Sequence, residues 1–141
     1  MRRFLITCKE FFCVFLVCAC AGFAFALTRL PAFAQGEGYE VYAAASSSAE
    51  ISRTDTPLYF KLTRPTAGES VRYRGDRYES LKAYYSAELV FEEEAAGVHN
   101  YYLFSPKLGA PVDLGGKLIN LHVAVSGEQT AVGTPLIFGG Y

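Results

Sequence analysis

The chain has 141 residues, of which 13 are Lys or Arg and 14 are Asp or Glu, and it contains no Trp. Its four cysteines all lie within the first 20 residues. The 107 residues from Gln35 onward therefore contain no cysteine, which excludes a disulfide framework, thiol catalysis and a cysteine-based zinc site there. This part carries nine basic and thirteen acidic residues, a net charge of −4. That balance argues against nucleic acid as a partner.

The N-terminal segment has the layout of an export signal. An uncharged apolar run over 11–27 follows three basic side chains, which are Arg2, Arg3 and Lys9. Ala32 and Ala34 then form an A-x-A site, because signal peptidase accepts only small side chains at those two positions. These features predict a signal peptide over 1–34 that is cleaved before Gln35.

An uncleaved membrane anchor is the alternative. The apolar run of 17 residues is longer than the usual signal core of ~7–15 residues and shorter than the ~20 that cross a bilayer comfortably. The well-formed A-x-A site favours cleavage. In both cases the basic N-terminus stays in the cytoplasm, so the rest of the chain is expected outside it, either secreted or held in the membrane through residues 11–27.

The remaining chain is predicted to form an entry segment and one small domain. Residues 35–52 are interpreted as a flexible linker, because 43–48 is a run of Ala and Ser. Residues 53–141 are assigned to the domain, since a chain of this length supports one core and not two.

The first predicted elements of the domain are two strands and a helix. Alternating apolar residues predict a strand at Leu58–Leu62 that turns Leu58, Phe60 and Leu62 toward the core, and a second strand at 71–74. Asp76 and Glu79 form a capping-box pattern, in which each side chain accepts the backbone N–H of the other. The helix that they open is predicted to run from Tyr78 to about Ala87.

Four or five strands follow the helix. They are predicted at 88–92, 99–104, 112–114, 117–125 and 130–138. Gly115-Gly116 predicts a two-residue hairpin, since glycine accepts the positive φ that such turns require. An antiparallel sheet with one main helix packed on a face makes this an α+β domain, preceded by the N-terminal apolar signal or anchor helix.

The C-terminal part resembles the YwmB family of exported bacterial proteins. The resemblance rests on the strand Ile119–Val125, on the Val-Gly-Thr-Pro-Leu-Ile sequence of Val132–Ile137, and on a final Tyr141. Together with the helix and hairpin before them, it covers about 81–141. The chain is shorter than typical members, and Phe138–Gly140 replaces a more polar stretch.

The resemblance implies a curved antiparallel sheet, because the family is named for a likeness to the TATA-box-binding-protein fold. It also implies an envelope or sporulation-associated context. It supplies no catalytic residue that could be carried over. DNA binding does not follow from it, since function resides in sites and not in folds.

A basic and aromatic cluster is the strongest candidate binding site. It comprises Arg72, Tyr73, Arg74, Arg77, Tyr78 and Lys82. Such a cluster is able to bind an anionic glycan, a lipid headgroup, peptidoglycan or an acidic partner surface. A solvated corner between a strand and a helix explains the same residues without any ligand.

Asn120, His122 and His99 are the other candidates. Asn120 interrupts an apolar strand, so it either bonds a neighbouring loop or contacts a ligand. The two histidines lack H-x-H or H-E-x-x-H spacing, and no metal or other cofactor is predicted. Glu92–Glu94 is interpreted as a solvated hairpin tip.

The expected function is a non-catalytic binding or assembly module of the cell envelope. It would offer a sheet face, or the last strand at Thr134–Phe138 as a sheet edge, to another envelope protein. The alternative is a small extracytoplasmic hydrolase or glycan-acting enzyme that uses His122 or His99 with a nearby carboxylate.

Overall fold

A computed structural model describes residues 2–33 and 35–140. The chain forms two compact units, one that ends at Leu30 and one that begins at Pro31. The first unit is a single helix, α1 (Arg2–Thr28). Its segment Thr7–Thr28, 22 residues, is long and apolar enough to cross a membrane, a test that a signal sequence also passes. The predicted N-terminal apolar helix is confirmed.

The second unit is built on a seven-stranded sheet in the order β2-β1-β3-β9-β8-β5-β4, and a separate pair, β6-β7, lies outside it. Every pairing is antiparallel, which confirms the α+β class. The strands are β1 (Glu37–Tyr42), β2 (Ile51–Arg53), β3 (Gly68–Arg74), β4 (Glu88–Ala95), β5 (Val98–Phe104), β6 (Val112–Asp113), β7 (Leu118–Ile119), β8 (Leu121–Ser126) and β9 (Gln129–Thr134).

Two short helices, α2 (Pro57–Thr63) and α3 (Tyr78–Tyr84), cover one face of the sheet. We call this the helical face. Alternate residues of the central strands point toward it, and they form the core together with Phe33. The core residues from the sheet include Tyr39, Val41, Val71, Leu103, Leu121, Val123 and Val132.

The strand predicted at Leu58–Leu62 is wrong, because these residues lie in α2. Five residues are too few to separate a period of two from a period of 3.6, and Pro57 at the first helical position favours a helix. Phe60 packs against the core, whereas Leu58 and Leu62 are 40% and 37% exposed. The expected inward pattern therefore holds for one residue of three.

Residues 35–52 are not a flexible linker. They contain β1, which pairs with both β2 and β3 inside the sheet. Tyr39 and Val41 of β1 are buried in the core, which is why this segment cannot behave as a solvated connection. The Ala- and Ser-rich run that suggested a linker is the loop between the two strands.

The predicted capping box does not form at the start of α3. Asp76 Oδ1 accepts the backbone N–H of Tyr78 at 2.9 Å instead of that of Glu79. The N-cap position is taken by Arg77, which makes no side-chain capping bond. The helix ends at Tyr84, earlier than predicted, and Ser86 beyond it has a positive φ of 50°.

The last strand also differs from the prediction. β9 ends at Thr134 because Pro135 has no N–H to continue the ladder. β9 lies between β3 and β8, so Thr134–Phe138 is not a sheet edge. Residues 135–140, which we call the C-terminal strap, cross the sheet face opposite the helices.

Candidate functional site

The basic and aromatic cluster is divided by the sheet. Successive residues of β3 point to opposite faces, so Tyr73 belongs to the helical face while Arg72 and Arg74 point away from it. Arg77 joins Tyr73 on the helical side, in a groove of about 570 Å³. Tyr78 is buried and stacks on Tyr101 with ring centroids 3.7 Å apart.

Each arginine of the cluster has a partner within the chain. Arg72 Nη2 lies 3.7 Å from Glu40 Oε1 and donates to the Gly140 carbonyl at 2.5 Å. Arg74 Nη2 lies 3.2 Å from Glu37 Oε1 at the surface. Arg77 Nε donates to the Arg74 carbonyl at 3.3 Å. The predicted cluster is therefore not one continuous anion-binding surface.

Asn120 fastens the loop that follows β5. Its Oδ1 accepts the N–H of Ser105 at 2.7 Å, and its Nδ2 donates to the carbonyls of Ser105 at 2.8 Å and Gly109 at 3.0 Å. Both amide hydrogens are used and the residue is 1% exposed. These bonds fit the structural interpretation of Asn120 and leave its amide without a free donor for a ligand.

His122 lies on the face opposite the helices, where both of its ring nitrogens have partners. Nε2 lies 3.1 Å from Asn100 Oδ1, and Nδ1 accepts the Ile137 N–H at 3.3 Å. Tyr102 stacks on the imidazole with centroids 4.4 Å apart. Burial lowers the pKa of His122 from 6.5 to about 4, so the ring is neutral at pH 7.

The C-terminal strap is held down by three polar side chains of the sheet. Besides the bond from Ile137 to His122, the Phe138 N–H donates to the Tyr42 hydroxyl at 3.3 Å and Arg72 holds the Gly140 carbonyl. The Tyr42 and Phe138 rings meet edge to face at 5.2 Å. His122, predicted as a binding residue, thus binds the end of its own chain.

His99 is separated from His122 by the sheet itself. It stacks on Tyr101 on the helical side, and its Nε2 lies 3.4 Å from Glu92 Oε2 at the surface. The two grooves that Tyr73 of β3 helps to line contain neither histidine. Within residues 2–33 and 35–140, no three His, Cys, Asp or Glu side chains come together as a metal site would require.

A buried carboxylate that the sequence analysis did not single out organises the helical face. Glu69 of β3 is 3% exposed, and its Oε1 accepts Lys61 Nζ of α2 at 2.6 Å and the Ala32 N–H at 2.9 Å. Its Oε2 accepts the Tyr39 hydroxyl. Burial and the nearby Glu69 charge raise the pKa of Tyr39, so this phenol remains a donor. The sequence does contain one indication that Glu69 is buried, because strand alternation places it on the same face as the apolar Val71.

The residues just before the predicted cleavage site belong to this arrangement. The Ala32 carbonyl accepts the Tyr85 hydroxyl at 2.5 Å, so both polar backbone groups of Ala32 are bonded to the domain. Phe33 is 2% exposed and meets the Tyr85 ring edge to face at 5.8 Å. Ala34, at the predicted cleavage bond, lies outside the described residues, and Gln35 beyond it is exposed.

A comparison of the chain with protein-family models, curated proteins and solved structures finds no match.

Proposed function

We propose that this protein is a membrane-anchored module of the cell envelope, held outside the cytoplasm by an uncleaved α1, which acts by binding another envelope protein and not by catalysis. The observation that carries the proposal is the burial of Phe33 together with the two hydrogen bonds of Ala32. Cleavage before Gln35 would remove both residues from the domain that they complete.

The free energy of unfolding lost on cleavage would be large compared with the total stability of a small domain. Truncation of a buried Phe costs ~3–5 kcal/mol, because it removes apolar contacts and leaves a cavity. Loss of the Ala32 N–H from buried Glu69 adds the cost of an unmade hydrogen bond, ~1–3 kcal/mol. Domains of this size have ~5–15 kcal/mol in total. Once the domain has folded, the Phe33 side chain is also buried and out of reach of a peptidase.

The state of the polar side chains supports binding over catalysis. Across the part of the chain that the structure describes, no buried side-chain nitrogen or oxygen lacks a hydrogen-bond partner. The polar side-chain atoms of His122 and Asn120 form hydrogen bonds with other groups of the same chain. A hydrolase needs a histidine, an acid and a nucleophile or metal around one cavity, and His122 and His99 stand on opposite sides of the sheet.

The context of the proposal is the bacterial envelope. The resemblance to the YwmB family over 81–141 points to the same compartment and to an association with sporulation. Another protein is the favoured partner, because Arg72 is engaged with Glu40 and the Gly140 carbonyl and is less available to an anionic glycan.

Membrane extraction combined with crosslinking in cells tests the proposal. With a C-terminal tag as the readout, the chain is expected to stay in the membrane pellet after an alkaline carbonate wash and to form a discrete crosslinked adduct with an envelope protein. Recovery of the tagged chain in the soluble fraction would contradict the anchor. A purified full-length chain that hydrolyses envelope glycans, with activity lost in His99→Gln, would contradict the non-catalytic role.

A further inference from the structure

We propose that the domain rests on the headgroup layer of the membrane through a defined part of its helical face. We call this part the entry surface, and its exposed residues are Leu58, Tyr59, Leu62, Arg64, Arg77 and Tyr84. The inference rests on the proposed function, since it takes α1 as a retained membrane anchor.

The length of the connection limits how far the domain can be from the membrane. α1 ends at Thr28, and Ala32 is already bonded to Glu69 and Tyr85 of the domain. Four residue steps separate the two positions, which span at most ~14 Å even when fully extended. A headgroup layer is ~5–8 Å thick on each side of the hydrocarbon core. The residues around Ala32 therefore lie within reach of the headgroups.

Both helices of the domain lie beside this attachment point. Lys61 of α2 and the Ala32 N–H share the same oxygen of Glu69. Tyr85, the C-cap of α3, donates its hydroxyl to the Ala32 carbonyl. Arg77 and Tyr84 line the groove of about 570 Å³ that also contains Pro31 and Ala32. The surface nearest the attachment point is therefore made by α2 and α3.

The outward side of α2 is apolar. Leu62 follows Leu58 by four residues and Tyr59 by three, so it is a neighbour of both on the helix surface. Leu58, Tyr59 and Leu62 are 40%, 70% and 37% exposed. Phe60 and Lys61 point into the domain. A short helix with an apolar outer side and an exposed tyrosine suits the boundary between headgroups and acyl chains, where aromatic rings are enriched. On α3, Tyr84 is 71% exposed.

The charge of the two helices fits an anionic lipid surface. Residues 57–64 and 77–85 contain four basic residues and one acidic residue, within a domain that has nine basic and thirteen acidic residues from Gln35 onward. One of the four, Lys61, is neutralised by Glu69. Arg64 and Arg77 are exposed and supply positive charge on the entry surface. Basic residues next to a membrane span are attracted to anionic headgroups.

The absence of Trp from the chain allows a direct test. The full-length variants Tyr59→Trp and Phe104→Trp each introduce a single tryptophan, the first on the entry surface and the second on the opposite sheet face, where Phe104 is 36% exposed. Both are reconstituted in lipid vesicles of phosphatidylcholine with phosphatidylglycerol, with and without lipids brominated near the headgroup. Far-ultraviolet circular dichroism verifies that each variant is folded, and Tyr84→Trp gives an independent second reporter.

We expect brominated lipid to quench Tyr59→Trp and Tyr84→Trp at least twofold more than Phe104→Trp. Equal quenching at the three positions would overturn the proposal. The purified chain retains α1 in this experiment, so the result does not depend on processing in cells. A chain found to be cleaved in cells would instead overturn the proposed function, whatever the quenching shows.

Discussion

At the scale of single residues, His122 makes the free energy of unfolding depend on pH. The unfolded chain binds a proton at this histidine near pH 6.5, whereas burial lowers the pKa in the folded protein to about 4. Between these values the unfolded state binds more protons, so the free energy of unfolding falls as the pH is lowered from 6.5 to 4. The total loss is expected to approach ~3 kcal/mol, since each unit of pKa difference corresponds to ~1.4 kcal/mol.

Replacement of His122 tests this link. His122→Gln is expected to reduce the slope of unfolding free energy between pH 6.5 and 4, measured by denaturant titration at several pH values. His99→Gln is the matched control, because His99 lies on the other side of the sheet and is partly exposed, and it should retain the slope of the unchanged protein. Equal slopes for both variants and the unchanged protein would contradict the neutral, buried state of His122.

Phe33 lies a few residues after α1 and is buried in the core of the domain. Phe33→Ala is expected to lower the free energy of unfolding by ~3–5 kcal/mol, since it empties a site in the core. Phe25→Ala is the control, because Phe25 belongs to α1 and is 50% exposed. Denaturant unfolding of the full chain in detergent, followed by near-ultraviolet circular dichroism, measures both. A loss below ~0.5 kcal/mol for Phe33→Ala would place this ring outside the core.

At the scale of elements, the strap packs closely against β9. A Cβ added at Gly133 of β9 would lie 2.9 Å from the Leu136 carbonyl oxygen and 2.8 Å from Ile137 Cγ1. A backbone atom cannot move aside without shifting the strap. Gly140 is the contrast, since a Cβ there meets nothing within 4 Å.

Gly133→Ala is therefore expected to destabilise the domain by ~1–3 kcal/mol, the usual cost of overpacking. It should also speed amide exchange at Ile137 and Phe138, whose N–H groups are bonded to His122 and Tyr42. Gly140→Ala should change neither quantity. Unchanged exchange rates in Gly133→Ala would show that the strap does not need the space above Gly133.

Elements with a clear local signal could be predicted from the sequence, and elements decided by distant contacts could not. The Gly115-Gly116 hairpin was predictable because its positive φ values of 64° and 84° require glycine. The α2 segment was misassigned because five alternating residues fit both periods. The strap and the role of β1 depend on partners far away in sequence, such as the Phe138–Tyr42 contact.

In the candidate site, too, residues with a local sequence signal could be predicted, and residues defined by distant contacts could not. A structural role for Asn120 was predictable, because an amide inside an apolar strand needs bonding partners nearby. The basic cluster looked continuous only in sequence, since alternation along β3 separates Tyr73 from Arg72 and Arg74. Glu69 and Phe33 were missed because their partners come from four different segments of the chain. Glu92–Glu94 lies on β4, an edge of the sheet, where charges discourage pairing with other chains.

At the scale of the whole molecule, the export signal predicted over 1–34 and the domain that begins at Pro31 overlap in sequence. The A-x-A pattern places Ala32 and Phe33 with the signal, whereas their contacts place them with the domain that begins at Pro31. Cleavage after Ala34 would separate Phe33 from the core and lower the stability of the mature domain, so the two assignments predict different stabilities.

The N-terminal residue of the protein in cells decides between these assignments. Intact-mass spectrometry of the tagged chain purified from membranes, combined with N-terminal sequencing, measures it directly. We predict a chain whose mass includes α1 and whose sequence begins at or near Met1. A chain that begins at Gln35 would contradict the anchored state. If that chain also had the same unfolding free energy as the full-length protein, the structural role of Phe33 would be contradicted as well.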